Sequence, residues 1–370
     1  MIAIRRAPLI VLLATISGCS GSHSRGVEPI VSFEVAGKVS AIQSIEFSPK
    51  GSTLAVAVVG SDQGQRFKSV ILYETGSFKA VRTIPVPERP EVISFSPDGK
   101  TLAVGTGDYQ GLGSAYLFDS ATGKQIARFG GTSGWVHDLG FSPDGKLLAS
   151  CGSTWDLKVG QGYHDGKATV WELASGNKRP VLESESKTYR SGSFSPNGQS
   201  FVVGGGTSHM NRSDSGNVSL CDVTTGRVLW NQASHSMVVE SVAFSPDGKT
   251  IAAGGMDGVL KLLDAANGKS WFVSKRLSGQ YGRVLSLAFS PDGKYLTAAL
   301  GSFNRGGKWG ELRAWEIQGR VARELLIFEG ESPMTSVAFS PDGRFLASGD
   351  FQGVLRVWES AKVFVAKAKE

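Results

Sequence analysis

Cysteine is nearly missing from this chain: there are three in 370 residues, at positions 19, 151 and 221. With no Cys-x-x-Cys pair and no Cys-x-x-Cys-His run, a zinc ribbon, a thioredoxin-type redox centre and c-type haem attachment are excluded. Long apolar runs are missing too. The longest, residues 7–16, is half of the roughly 20 residues that cross a bilayer as a helix. Lys and Arg never gather into a run, so the formal charge of +6 is spread out, unlike the clustered basic elements of nucleic-acid binders. No nucleic-acid partner is expected. The Gly-x-Ser-x-Gly elbow, the His-Glu-x-x-His helix and the phosphate-binding loop are absent as well, which removes three common catalytic readings. What the chain has in excess is glycine, 48 residues, about 13% against a usual ~7%. No Gly-X-Y period runs through it, and 41% hydrophobic residues supply a core. Many short strands joined by tight turns, an all-β class, is the reading left.

The N-terminus differs from the rest. Residues 1–18 place Arg5 and Arg6 ahead of the apolar stretch and small residues after it, the layout of a signal peptide. Ile16-Ser17-Gly18-Cys19 resembles a bacterial lipobox, which implies cleavage before Cys19 and lipid attachment to its thiol. That resemblance implies an exported lipoprotein on the periplasmic side of the membrane or in the outer membrane. Residues 19–29 are mostly small and polar and read as a flexible tether. Cys151 and Cys221 lie in apolar strand patterns and read as unpaired core thiols.

Self-similarity sets the architecture. Phe-Ser-Pro-x-Gly starts at Phe47, Phe95, Phe141, Phe194, Phe244, Phe289 and Phe339, at intervals of 45–53 residues. In each copy Pro presets the turn, Asp or Asn in the x position of most copies bonds local backbone, and Gly takes the positive φ that closes a hairpin. An apolar alternation precedes the turn and a small-residue strand follows. A third strand then ends in pairs such as Trp171-Glu172, Trp315-Glu316 and Trp358-Glu359, and a fourth follows a turn such as Thr122-Gly123-Lys124. Four strands per repeat and seven repeats predict a seven-bladed β-propeller over residues 30–360, with 361–370 as a tail.

These repeats resemble the WD40 family, which implies a ring closed by a strand from the opposite terminus. Ile30–Val35 alternates as an outer strand should and is expected to complete the last blade; Val363–Val365 is the competing candidate. The family's Gly-His pair is missing from most blades and its Trp-Asp pair is usually altered, so blade stability is expected to lean on apolar packing. The stretch Asp222–Trp230 resembles a cofactor-docking motif of quinoprotein propellers, but it occurs once with its Trp and reads as blade packing.

Strand parity then sorts the loops. The Phe-Ser-Pro-x-Gly turns share one face with the Thr-Gly-Lys turns, while second-to-third-strand loops share the other with the blade connections. From the turn glycine to the acid ending strand three there are 16 residues in blades five and seven and 20–27 in the others. That second, elaborated face carries Tyr109, Trp135, Trp155, Tyr163, His164, Tyr189, Arg212, His235, Tyr281, Arg305 and Trp309. Trp, Tyr and Arg dominate interface energetics, so these residues are expected to meet a protein partner of the cell envelope. No tight His or carboxylate spacing is present, so neither metal nor cofactor is expected. The expectation is a monomeric, non-catalytic interaction scaffold. The alternative is a propeller, binding or catalytic, whose polar loops at the channel mouth take a small ligand or glycan.

Overall fold

The computed structural model describes residues 27–35, 39–62, 65–107, 112–156, 162–184, 187–207, 215–277, 282–303 and 309–365. Over these the chain forms seven antiparallel four-stranded sheets, the all-β propeller that the repeats predict. The innermost strands are Val39–Phe47, Arg89–Phe95, Trp135–Phe141, Thr188–Phe194, Val239–Phe244, Arg283–Phe289 and Met334–Phe339. Each packs beside the next and the last beside the first, so the sheets stand as blades round one axis.

The core lies between blades. Leu54 to Val58, in the second strand of blade one, is 0% exposed throughout, because a neighbouring sheet covers each side. Leu54, Val56 and Val58 pack toward Leu355 and Val357 of blade seven, whereas Ala55 and Ala57 face Ile93, Phe95 and Leu102 of blade two. The period of two that marks a strand is therefore used on both faces. Close approach requires small residues: a Cβ added to Gly254 would stand 2.3 Å from Val284 Cγ1 of the next blade. Trp230 donates from Nε1 to Ala265 O of the next blade at 3.0 Å, so the stretch resembling a docking motif serves blade packing. Cys151 and Cys221 are free and buried in one cluster between blades three and four.

The Phe-Ser-Pro-x-Gly turns make a rigid rim. In blade two Ser96 Oγ donates to Asp98 Oδ1 at 2.6 Å and accepts Thr101 N–H at 2.9 Å, while Lys100 N–H reaches the same carboxylate at 3.0 Å. The Ser96 bond, with the backbone donor, holds the Asp98 carboxyl below its usual range. Gly99 sits at φ 73°, a conformation that favours glycine. The turns also interlock around the ring: the Cβ position of Gly99 lies 3.5 Å from Pro49 Cδ, and that of Gly51 lies 3.6 Å from Pro341 Cδ across the seam.

Closure follows the N-terminal expectation. Strand Val31–Glu34 pairs antiparallel with Val354–Glu359, with Val31 opposite Val357 and Glu34 opposite Val354. Ahead of it, Val27 N–H donates to Ile327 O and Val27 O accepts Trp358 Nε1–H, each at 2.8 Å. With that edge occupied, the competing segment has no partner strand and turns as a short helix, Ser360–Val365. It buries Val363 and Phe364, and Phe364 stacks on Tyr295 with ring centroids 4.0 Å apart.

A belt of hydrogen bonds links the inner strands. In five of the seven junctions, a side chain three positions before the turn Phe accepts a backbone N–H of the next blade. Asp138 Oδ2 takes Gly192 N–H at 2.9 Å, Ser191 Oγ takes Val242 N–H at 3.1 Å, and Ser336 Oγ takes Ile45 N–H at 3.1 Å across the seam. Ser44 serves Ile93 and Ser286 serves Val337 in the same way.

Candidate functional site

The elaboration of the second face is largely extension of the second and third strands into two-stranded ribbons. In blade three the pairing continues to Trp155 opposite Tyr163 and Thr154 opposite His164. Blade one extends to Asp62 opposite Gln65, and blade six to Ser302 opposite Trp309. Blades five and seven instead make short turns tied by an aspartate. Asp257 Oδ2 accepts Ser236 N–H at 3.0 Å; Asp350, 0% exposed, accepts Gln352 and Val354 N–H at 2.9 Å and pairs with Arg356 at 2.7 Å.

At the centre of this face the inner strands share one irregularity. All seven carry a β-bulge at the same place, skipping Gln43, Glu91, His137, Arg190, Glu240, Leu285 and Thr335 in the pairing. Each is the fourth residue before a turn Phe. A bulge leaves its extra residue out of the ladder and re-aims the side chain. Here it gathers seven side chains round the axis, where neighbouring blades meet through them. Arg89 Nε donates to Glu91 Oε1 at 2.6 Å and its Nη2 to Gln43 Oε1 at 3.3 Å. Arg190 Nη1 donates to His137 Nδ1 at 3.3 Å, Arg283 faces Glu240 at 3.7 Å, and Thr335 Oγ1 donates to Ile42 O at 2.7 Å.

Enclosure by neighbouring blades perturbs the ionisable groups of the inner strands, within this ring and beside it. Loss of solvation pushes Glu91 up to about 7 against the pull of Arg89, and pushes Asp138 up to about 6 and Glu46 up to about 8. It also holds His137 well below its usual range, with the Arg190 charge adding to the effect. An arginine only donates, so His137 Nδ1 is the acceptor in that pair. Its Nε2 then carries the proton and donates to Ser153 Oγ at 2.8 Å.

The residues expected to meet a partner divide by placement. Trp135, Tyr189 and His235 are buried at 6%, 8% and 6% exposure, so partner contact moves off them: their chemistry is spent between strands. Trp135 stacks on His137 with the Arg89 guanidinium 5.7 Å from its ring centroid, and His235 Nε2 donates to Val259 O at 3.2 Å. Trp309 is part-buried against the blade-six core. Trp155, Tyr163 and His164 have their backbones at the tip of the blade-three ribbon. Tyr109, Arg212, Tyr281 and Arg305 lie outside the described residues, as does Cys19. Sequence reasoning missed Gln43, Glu91 and Glu240, although aligning the repeats on their turn Phe puts a polar residue inside an apolar alternation in most copies. It also missed Phe303 and Phe351, an edge-on pair with ring centroids 5.2 Å apart, 43% and 37% exposed on this face.

Comparison with known proteins agrees with the repeat. The family model described as WD domain, G-beta repeat matches residues 123–172, 226–264, 271–315 and 322–359. The chain is similar to the serine-threonine kinase receptor-associated protein of Gallus gallus, 24% identical over 36% of this chain and 32% of that one. It is also similar to autophagy-related protein 16 of Arabidopsis thaliana, 24% identical over 72% of this chain and 55% of the relative. The periodic tryptophan protein 2 homolog of Dictyostelium discoideum is 24% identical over 76% of this chain and 27% of its own length. The chain thus spans between about a quarter and about half of these relatives. What the repeats, the blades and the comparison share is one assignment: the chain carries WD40 repeats, folded as a seven-bladed β-propeller.

Proposed function

We propose that this propeller is a non-catalytic scaffold that receives a protein partner on its elaborated face, around the ring of bulged residues. One observation carries the reading. The two faces differ in kind: one is a rim of interlocked Pro–Gly turns with the same bonds repeated, the other combines ribbons of unequal length, an exposed Phe303–Phe351 pair and an irregular set of polar side chains. Loops and irregular elements on a rigid frame are where binding sits. A relative named as receptor-associated is in keeping with an interaction role. The sequence at Ile16–Cys19 supports a second element of the proposal. Lipid on Cys19 tethers the ring as an exported lipoprotein, on the periplasmic side of the membrane or at the outer membrane, where its partner is a protein of the envelope.

Site-directed photo-crosslinking tests it. A crosslinker at Trp309 or Phe351 should trap a discrete partner from intact cells, and one at Lys100 on the opposite face should not. Equal trapping from both faces would overturn the assignment of the surface. The alternative, a small ligand or glycan, draws on the polar ring at the same mouth. Trapping of no protein at either position, with a low-molecular-mass ligand retained on purification, would favour it.

A further inference from the structure

Three blades carry a base at one place on the third strand, three residues before its closing acid: Lys261 in blade five, Arg313 in blade six and Arg356 in blade seven. All three are part-buried. Two are met by carboxylates of the chain. Arg313 pairs with Glu311 at 2.5 Å and with Glu324, and Arg356 pairs with Asp350 at 2.7 Å. Lys261 has no such partner among the described residues. The residue aligned with Asp350, three before the turn glycine of its blade, is Gly255, and a Cβ there would stand 2.6 Å from His235 Cδ2. Burial holds His235 below its usual range, with Asp257 opposing that shift and Lys261 adding to it. Asp257 does not pair with Lys261; its oxygens accept Ser236 N–H, Ser236 Oγ–H and Val259 N–H. A part-buried ammonium without an opposed carboxylate is costly.

Lys261 lines a groove of about 280 Å³ between the outer strands of blades four and five, together with Gln232, Ser234, Leu263, Lys269 and Ser270. None of the residues lining it is acidic, and Asp264, next to Leu263, is held by Arg320 at 2.6 Å. The blade-four wall is a bulge: pairing passes from Ala233 to His235 and leaves Ser234 out of the ladder. Lys261 Nζ donates to Ser234 O, which leaves the ammonium two further N–H groups. Ser234 is 7% exposed, and its hydroxyl has no hydrogen-bond partner among the described residues.

We infer that this groove binds a phosphate group, free or as a monoester, between Lys261 and Lys269, with the Ser234 and Ser270 hydroxyls as neutral donors. The ligand supplies the negative charge that Glu311, Glu324 and Asp350 supply in the next two blades. Ammonium groups act as compact point charges and suit a multiply charged anion, whereas a planar carboxylate is matched by an arginine fork. The groove opens on the circumference of the ring, away from the elaborated face, so it is independent of the partner surface.

The probe is inorganic phosphate, titrated into the full chain at constant ionic strength and followed by phosphorus NMR linewidth. Saturable binding is expected, with a melting temperature that rises as phosphate is added. Lys261→Gln should weaken binding about tenfold or more, as loss of a charge-assisted bond does. Ser270→Asp, at an exposed position, should abolish it by placing a carboxylate in the groove, with the melting temperature in the absence of phosphate unchanged. Lys100→Gln, on the rim of turns, should leave binding as it was. Glycerol 3-phosphate serves as competitor: displacement at a lower concentration than phosphate itself needs assigns the group to an ester, and otherwise it is the free ion. No saturation with phosphate, equal binding of acetate, or indifference to both Lys261→Gln and Ser270→Asp would overturn the inference and leave the partner surface untouched.

Discussion

Ser336 Oγ accepts the backbone N–H of Ile45 at 3.1 Å, joining residues 291 positions apart where the seventh blade meets the first. Ser336 is 7% exposed and Ile45 4%, so water cannot readily replace the lost partner. Ser336→Ala should therefore cost about 1–3 kcal/mol, the penalty of a buried unsatisfied donor. Urea unfolding of the full chain measures it, and an unchanged midpoint would show that the belt is incidental to stability.

The closing strand makes a larger prediction. Deleting residues 29–36 removes all four pairs with Val354–Val357 and reopens the edge of blade seven. The melting temperature should fall for the whole ring in one transition.

The contribution of Glu46 to stability should fall as pH rises, which is unusual for a carboxylate and opposite in sign to that of the depressed His137. Glu46 is pushed up to about 8 from an ordinary 4.5, chiefly by lost solvation and then by the nearby Asp138 charge. Between those values the native state holds a proton that the unfolded chain has released, so the contribution is complete below about 4.5 and lost as pH climbs to about 8. Glu91 and Asp138 slope the same way, up to about 7 and about 6. Glu46→Gln keeps an acceptor for Phe95 N–H and removes the titration. At pH 8 it should melt about 2 °C or more above the native chain, with no gain at pH 4.5. A gain of the same size at both values would mean that Glu46 acts by packing alone.

Much of this molecule is legible in the sequence because its repeated element is chemically self-contained. Ser96, Pro97, Asp98 and Gly99 specify their turn with bonds among themselves, and seven copies count the blades. Val31–Glu34 reads as a closing strand since its alternation needs only an edge to meet. The bulge ring is different. A strict period of two runs straight through Glu91, His137 and Arg190, and only pairing with the second strand shows where the register slips. Trp135 and Tyr189 mislead for a related reason: they open their strands next to the blade connections, yet the adjacent blade decides that they are covered, and that neighbour is some fifty residues away in sequence.

Cys19 carries a prediction of its own. If it is the lipidated first residue of the mature chain, Cys19→Ser should leave the protein unprocessed or soluble, because a single acyl chain already binds only marginally and loss of every chain removes the anchor. Membrane fractionation with mass measurement of the N-terminus decides it. A Ser variant that still sediments with membranes at the mature size would end the lipoprotein proposal and leave the propeller assignment untouched.

The partner surface makes the sharpest demand on the proposed function. Phe303 and Phe351 present two exposed rings, edge to face, beside the blade-six ribbon that ends at Trp309. Large aromatics at the centre of an interface often cost more than about 2 kcal/mol when truncated, whereas rim lysines cost almost nothing. Against the trapped partner, Trp309→Ala and Phe351→Ala should each weaken binding by about thirtyfold, the equivalent of that free energy at 25 °C. Lys100→Ala and Lys249→Ala should leave affinity within about twofold, because their ammonium groups extend from the interlocked turns of the opposite rim. Phe351 is an exposed turn residue whose ring stands edge-on to Phe303, so the melting temperature should hold and a binding loss can be read as contact. If the lysine variants lose binding and the aromatic ones keep it, the interface belongs to the rim of turns. If neither set matters, it runs along the outer strands of the blades.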